Sequence, residues 1–165
     1  MKNNQHQEIA RHIEAHRRLL YKVVHMYCPN PNEQEDLIQD IIFELVKSYD
    51  RFDHQVKVTT WMYKVAFNVS ISHYRKLQTR KKHTVAMPEK LVLIDVTERN
   101  EVPADILLLR QLIQALNPIN RALMIMYLDG NTYTEISEAM GISLSNVGTK
   151  INRIKKQLKH KFKKH

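Results

Sequence analysis

A stretch near the carboxyl terminus decides the fold: residues 132–158 read TYTEISEAMGISLSNVGTKINRIKKQL. Thr132 and Glu135 have the spacing of a capping box, in which each side chain bonds the other residue's backbone N–H at a helix start. Gly141 suits the left-handed conformation that closes a helix. Ser143 can cap a second helix immediately afterwards. The stretch therefore predicts two short helices joined by a tight turn.

The second of these helices has an apolar face and a polar face. Its apolar residues recur at helical spacing, at Val147, Ile151, Ile154 and Leu158. The opposite face presents amide, hydroxyl and cationic groups, on Asn146, Thr149, Lys150, Asn152 and Arg153. Such a face suits insertion into the major groove of DNA. The stretch therefore predicts a helix-turn-helix. The alternative is an ordinary helical hairpin whose outer face is simply exposed to solvent.

Charge favours the DNA-binding interpretation. The chain has 26 Lys and Arg against 17 Asp and Glu, a formal net charge of +9, which favours a polyanionic partner, nucleic acid ahead of a membrane surface. From residue 150 to 165 the cations stand without any acid, at Lys150, Arg153, Lys155, Lys156, Lys159, Lys161, Lys163 and Lys164. Each contact that they make to phosphate would add a salt-dependent increment to binding.

Composition argues against an enzyme. All three glycines lie after residue 129, which disfavours phosphate-cradling loops, dinucleotide-binding domains and tight hairpins. The only cysteine, Cys28, excludes an internal disulfide and a multi-cysteine zinc site. The nine histidines are scattered. We therefore predict no catalytic residue, no cofactor and no metal cluster.

The sequence also predicts a cytoplasmic location. It contains no run of 18 or more apolar residues, and its first 12 residues lack the apolar stretch of a signal peptide. We expect no direct membrane insertion.

Three amphipathic helices are predicted before residue 80, between prolines that mark the breaks. The first spans Ile9 to Val24, the second Leu37 to Val46, and the third begins near Thr59 and ends in a basic run at Arg75–Lys82. The period is lost from about Leu77 and returns near Ala104. We predict an all-α chain of two small helical domains, residues 1–80 and 104–165.

A flexible linker, residues 81–103, is predicted between them. A strand at Lys90–Val96 would have no partner strand in this sequence, so an extended tether is preferred.

Acidic residues concentrate in the second helix. Asp36, Asp40 and Glu44 lie four residues apart, and like charges at that spacing are mildly destabilising. The stripe either serves a basic protein partner or is simply solvated.

Motifs in both halves resemble the ECF group of bacterial sigma-70 factors. Asp36–Phe43 (DLIQDIIF) and Thr60–Asn68 (TWMYKVAFN) are similar to the second conserved region of that family. Leu116–Pro118, Tyr133–Ser137 and Ser145–Lys156 are similar to the fourth. The resemblance implies a transcription initiation factor that binds core RNA polymerase, directs it to specific promoters and assists DNA melting. A stand-alone helix-turn-helix regulator of duplex operators is the alternative.

The resemblance also implies roles for particular residues. Core polymerase would be bound, at the clamp helices of its largest subunit, by Asp36, Gln39, Asp40 and Phe43. The minus-10 element would be contacted by Phe52, Lys57, Thr59, Tyr63, Lys64, Phe67, Asn68, Arg75 and Lys76. The loop from Phe52 to Thr59, with Asn68, would capture a base flipped out of the stack, whereas Trp61 would be a core residue.

The minus-35 element would be contacted by Ser145, Asn146, Thr149, Lys150, Asn152, Arg153 and Lys156. Many relatives carry a cation where this chain has Gly148, and a basic or aromatic residue where it has Asn152, so the sequence read here is expected to differ. An anti-sigma factor is expected as a further partner, beside core polymerase and promoter DNA.

Overall fold

The computed structural model describes residues 2–83 and 102–164. Helices make up nearly all of these two ranges, and no β-strand occurs in them. The chain divides into two compact units, residues 1–90 and 91–165. The predicted all-α fold of two small helical domains is confirmed. The tether and the alternative strand at Lys90–Val96 lie outside the described residues.

Four α-helices lie in residues 2–83 of the first unit. They are α1 (Lys2–Ala15), α2 (Arg17–Tyr27), α3 (Pro31–Ser48) and α4 (Val58–His83), with a 3₁₀ turn at Tyr49–Arg51 between α3 and α4. Pro31 occupies the first position of α3, and the Asn30 side chain accepts a hydrogen bond from the backbone N–H of Asn32 at 3.1 Å. The core includes Leu20, Val24, Leu37, Ile41, Leu45, Met62 and Ala66.

The first predicted helix is in fact two helices. His16, with φ −117° and ψ 20°, leaves the helical conformation between α1 and α2. The backbone N–H of Leu19 then bonds the carbonyl of His16 at 3.0 Å, and α2 starts from this tighter turn. Neither proline nor glycine stands near His16, so the sequence carried no signal for the break.

Helix α4 corresponds to the third predicted helix, which was expected to begin near Thr59 and to end in the basic run. It continues through the basic run Arg75–Lys82 and ends at His83, past the expected domain boundary at residue 80. The cations of the run are thus carried on a helix.

In the second unit, the described residues 102–164 also form four helices. They are α5 (Ala104–Gln114), α6 (Pro118–Leu128), α7 (Tyr133–Met140) and α8 (Leu144–Phe162). The buried Arg121 of α6 donates from Nη2 to the carbonyls of Gln114 at 2.6 Å and Leu116 at 3.1 Å. These bonds satisfy backbone acceptors at the end of α5.

Helices α7 and α8 form the predicted helix-turn-helix. The backbone N–H of Thr132 donates to Glu135 Oε2 at 2.8 Å, and the N–H of Glu135 donates to Thr132 Oγ1 at 3.2 Å. Gly141 closes α7 with φ 65°. The Ser143 hydroxyl caps α8 by accepting from the N–H of Asn146 at 3.3 Å. Each of these local predictions is confirmed.

Candidate nucleic-acid interface

Helix α8 is held in the domain by its apolar stripe. Val147, Ile151, Ile154 and Leu158 are all buried, and α8 contacts α5, α6 and α7. At 100° per residue these four positions share one face, so the opposite face must point out of the domain. The packing therefore fixes which side chains are available to a ligand.

The outward face of α8 carries the residues expected to read the minus-35 element. Lys150 is half-buried, whereas the others are exposed, namely Ser145, Asn146, Thr149, Asn152, Arg153 and Lys156. This set combines hydroxyl and amide groups with three cations, the groups that bond base edges and phosphates. The structure thus brings all seven residues onto one helix face.

Two neighbouring residues of α8 turn towards the domain instead. A Cβ placed on Gly148 would lie 3.5 Å from Cε2 of Tyr133, an ordinary contact with α7. Lys155 Nζ donates to the Tyr127 hydroxyl at 3.1 Å and lies 5.1 Å from the centre of that ring. The hydrogen bond to Tyr127 raises the pKa of Lys155 above its ordinary value. Lys155 is therefore engaged within the domain, unlike the outward cations.

The polar face of α3 carries the residues expected to bind polymerase. Asp36, Gln39, Asp40 and Phe43 are all exposed, and the Phe43 side chain is 66% accessible. Leu37, Ile38, Ile41 and Leu45 anchor the opposite face in the core. The Lys47 ammonium nitrogen lies 5.9 Å from the centre of the Phe43 ring. Aromatic residues are enriched at protein-binding surfaces, so this face suits a protein partner.

Six of the nine residues expected at the minus-10 element are accessible. Thr59 is half-buried, and the exposed residues are Lys57, Lys64, Asn68, Arg75 and Lys76. Asn68 lies four residues after Lys64 on α4, and Arg75 lies seven residues after Asn68. At these spacings the three side chains follow one side of the helix. On that side the Asn68 amide lies between two cations. The amide can bond a base, and the cations can bond the phosphates of the DNA backbone.

The three aromatic residues of that set are buried. Tyr63 and Phe67 are 3% and 2% accessible, and their rings stack with centroids 5.5 Å apart. Phe52 is also buried and stacks on Trp61 at 5.0 Å. The three rings are not accessible at the surface of this structure, and their contact with DNA stays a prediction. Their apolar rings are used to pack α4 against the rest of the domain.

Trp61, expected in the core, is instead half-buried. It lies beneath the loop that connects the 3₁₀ turn to α4. In that loop the N–H of Gln55 bonds Asp53 Oδ1 at 3.1 Å, and His54 adopts a left-handed φ of 60°. Tyr49, also beside Trp61, has a pKa raised first by burial and then by its interaction with Glu8.

A third group of polar residues was not expected from the sequence. A sulfur of Cys28, a carboxylate oxygen of Glu33 and a ring nitrogen of His73 all lie within 4.8 Å of one another. Burial, followed by the charge of Glu33, raises the pKa of the Cys28 thiol. Forty-five residues separate Cys28 from His73, so no local pattern could reveal the group.

Comparison with known proteins assigns both units. A family model described as sigma-70 region 2 matches residues 12–80, and a second, described as sigma-70 region 4, matches residues 106–158. The chain is also 22% identical, over 165 residues, to the ECF RNA polymerase sigma factor SigW of Bacillus subtilis. That alignment covers 92% of this chain and 87% of SigW. This chain is an ECF sigma factor.

Two solved structures share the fold of this sigma factor. The sigma factor RpoE of Bartonella quintana, in complex with the anti-sigma factor NepR, has a TM-score of 0.66 at 14% identity, covering 93% of this chain and 96% of RpoE. CnrH, in complex with the cytosolic domain of CnrY, has a TM-score of 0.66 at 13% identity, covering 96% of this chain and 92% of CnrH.

Membership of the family establishes the general function. The sigma factor acts in transcription initiation, with RNA polymerase and promoter DNA as its partners, and a stand-alone operator-binding regulator is not favoured. Sigma factors are in general transcription factors without enzymatic activity. Among residues 2–83 and 102–164, no helix is both long and apolar enough to cross a membrane.

Proposed function

We propose that this sigma factor docks on core polymerase through α3 and reads its promoter with α4 and α8. Residues 1–80 would bind the enzyme and open the minus-10 element, residues 104–165 would read the minus-35 element, and residues 81–103 would connect them. The observation that carries the proposal is the exposed face of α3, where Phe43 stands among Asp36, Gln39 and Asp40.

The carboxylates and the phenyl ring of that face would bind basic and apolar groups on the clamp helices of the largest polymerase subunit. Carboxylates would steer the encounter and select a cationic surface. Phe43 would supply an aromatic anchor that loses most of its accessible area on binding. Glu44 differs from the docking residues because its carboxylate already pairs with Lys47 at 3.6 Å.

At the minus-10 element we assign DNA contact to the accessible residues alone. Thr59 and Asn68 would bond the captured base, while Lys57, Lys64, Arg75 and Lys76 would hold the backbone of the opened strand. Unstacking a base costs a few kcal/mol, so hydrogen bonds and backbone contacts must offset that cost. At the minus-35 element, the outward set of α8 from Ser145 to Lys156 would meet the major groove.

Regulation would use the same surfaces. The solved relatives named above are bound to the anti-sigma factor NepR and to the cytosolic domain of CnrY. We infer that a protein of this class covers the α3 face of this chain and blocks docking. The sigma factor would work in the cytoplasm, where core polymerase and promoter DNA are found.

Charge reversal on α3 tests the docking surface. Asp36→Arg should weaken binding of the full-length chain to core polymerase and reduce promoter-specific transcription by the reconstituted enzyme. Asp50→Arg makes the same charge change on an exposed acid of the same domain, outside α3, and should leave both readouts near wild type. Equal core affinity of the two variants would contradict the assignment of α3.

A gel shift tests the dependence on polymerase. The full-length chain should bind promoter duplex weakly alone and specifically when core enzyme is added. Tight and specific binding without core enzyme would contradict the proposed division of labour.

A further inference from the structure

We infer that Cys28, Glu33 and His73 form a zinc site inside the first helical domain. The inference is independent of the proposed function, since metal binding by these side chains needs neither polymerase nor DNA. Cys28 follows α2 directly, Glu33 lies in the first turn of α3, and His73 lies on α4. The three residues thus come from the end of α2, from α3 and from α4, all in one bundle.

The donor atoms fit zinc chemically. A thiolate sulfur, an imidazole nitrogen and a carboxylate oxygen are the ligand types that Zn²⁺ takes in proteins, at about 2.0–2.3 Å from the ion. Tetrahedral angles at these distances put the donor atoms about 3.2–3.6 Å apart. Here they lie within 4.8 Å of one another, so an approach of roughly 1 Å by the half-buried Glu33 and His73 side chains completes the set.

The charges also fit. The two positive charges of Zn²⁺ are balanced by one thiolate and one carboxylate, so the complex is neutral. Such neutrality matters because buried charges in proteins are paired or coordinate metals. On binding, the thiol proton leaves to solvent as the sulfur–zinc bond forms. Three protein ligands leave a fourth tetrahedral position for a water molecule.

A second observation points to a ligand. Nε2 of His73 is buried and finds no hydrogen-bond partner among residues 2–83 and 102–164. Buried ring nitrogens normally have a partner, so an unpaired one needs an explanation. The Cys28 thiol donates to the Asn30 carbonyl at 3.5 Å, and a thiol is a weak donor. The His73 nitrogen and the Cys28 sulfur can therefore both bind a metal ion without breaking a strong hydrogen bond.

The site is also held in place before any ion arrives. Gln34 Nε2 donates to the Cys28 carbonyl at 2.8 Å, which ties α3 to the end of α2. Because Cys28 is fully buried while Glu33 and His73 are half-buried, an ion would enter past the carboxylate and the imidazole. Bound zinc would link α2, α3 and α4, and would stabilise the domain in proportion to its occupancy.

Metal titration of the full-length chain tests the inference. Chelator-treated protein should take up Zn²⁺ at one site, measured by competition with a chromogenic chelator. Co²⁺ in its place should give a sulfur-to-metal charge-transfer band. Cys28→Ser should abolish that band. Cys28→Ser, Glu33→Gln and His73→Asn should each weaken zinc binding by more than the roughly 10- to 100-fold loss typical of an outer-shell change.

A matched control separates the site from adventitious binding by the other histidines. His83→Asn makes the same change as His73→Asn at an exposed position on the same helix, and should leave zinc affinity unchanged. Circular dichroism checks that each variant is folded. If the buried Cys28→Ser variant is unfolded, Glu33→Gln decides, because it keeps the side-chain shape at a half-buried position.

Three results would overturn the inference. They are a wild-type Co²⁺ complex without the charge-transfer band, equal zinc affinity in wild type and folded Glu33→Gln, and equal losses for His83→Asn and His73→Asn. All of these readouts are made without polymerase or DNA, so they are unaffected by failure of the docking proposal.

Discussion

The two glycines of the helix-turn-helix should respond in opposite directions to the same substitution. Gly148 lies within α8, where an added Cβ makes an ordinary 3.5 Å contact with Tyr133. Gly148→Ala should therefore stabilise the second domain by about 0.5–1 kcal/mol, the helix-propensity difference. Gly141 has φ 65° with nothing within 4 Å of an added Cβ. Gly141→Ala should cost about 1–2 kcal/mol from left-handed strain alone.

These energies correspond to measurable shifts in Tm. For a domain of this size, 1 kcal/mol changes Tm by about 4–8 °C. Gly148→Ala should thus raise the Tm of the second domain by about 2–8 °C, and Gly141→Ala should lower it by about 4–16 °C. Calorimetry of the full-length chain measures the transition, and urea titrations give the free energies of unfolding.

The chain supplies an internal control for this comparison. Its only tryptophan, Trp61, lies in the first domain, so tryptophan fluorescence follows unfolding of that domain alone. The fluorescence midpoint should stay constant in both glycine variants. A lower Tm for Gly148→Ala would refute the reasoning, since it would mean that the Tyr133 contact is too tight to accept a methyl group. An unchanged Tm for Gly141→Ala would show that its left-handed conformation is not required.

Three further outcomes are expected. Thr132→Ala removes one half of the capping box and should lower the stability of the second domain by about 1 kcal/mol, measured by urea unfolding; no loss would mean that the cap contributes nothing. Arg153→Ala and Lys156→Ala should each reduce by about 0.9 the slope of log affinity against log salt for promoter binding by the assembled enzyme. Lys155→Ala is the matched control, because Lys155 bonds Tyr127, and an equal change in slope for this variant would contradict the assigned orientation of α8. Tyr127→Phe removes the hydrogen bond to the exposed Lys155 and should change the free energy of unfolding of the second domain by less than about 0.5 kcal/mol. A larger loss in thermal unfolding would show that this hydrogen bond stabilises the domain.

Local chemistry made the second domain predictable. The capping box, the closing glycine and the Ser143 cap act within a few residues of the chain, so their bonds could be predicted from spacing alone. The apolar stripe from Val147 to Leu158 likewise fixed the outward face of α8. The structure places the predicted residues on that face, while their contacts with DNA remain predictions.

Tertiary packing made the first domain harder to predict. Tyr63 and Phe67 belong to a motif associated with DNA opening, yet their i, i+4 spacing also places them together on the buried side of α4. Which of these roles applies depends on neighbours such as Tyr27, whose ring lies 6.2 Å from that of Phe67. The break at His16 and the meeting of Cys28 with His73 depend on contacts between helices in the same way.

The stacking of Phe52 on Trp61 has a consequence for the kinetics of promoter opening. One end of the proposed base-capturing loop is fixed to α4 by these rings, and Tyr49 reinforces the attachment at 5.7 Å from Trp61. These rings restrict the loop at that end before DNA binds, so less of the binding energy is spent on ordering it. The rate of base capture should then depend on how often the DNA strand opens, and not on a conformational change of the loop.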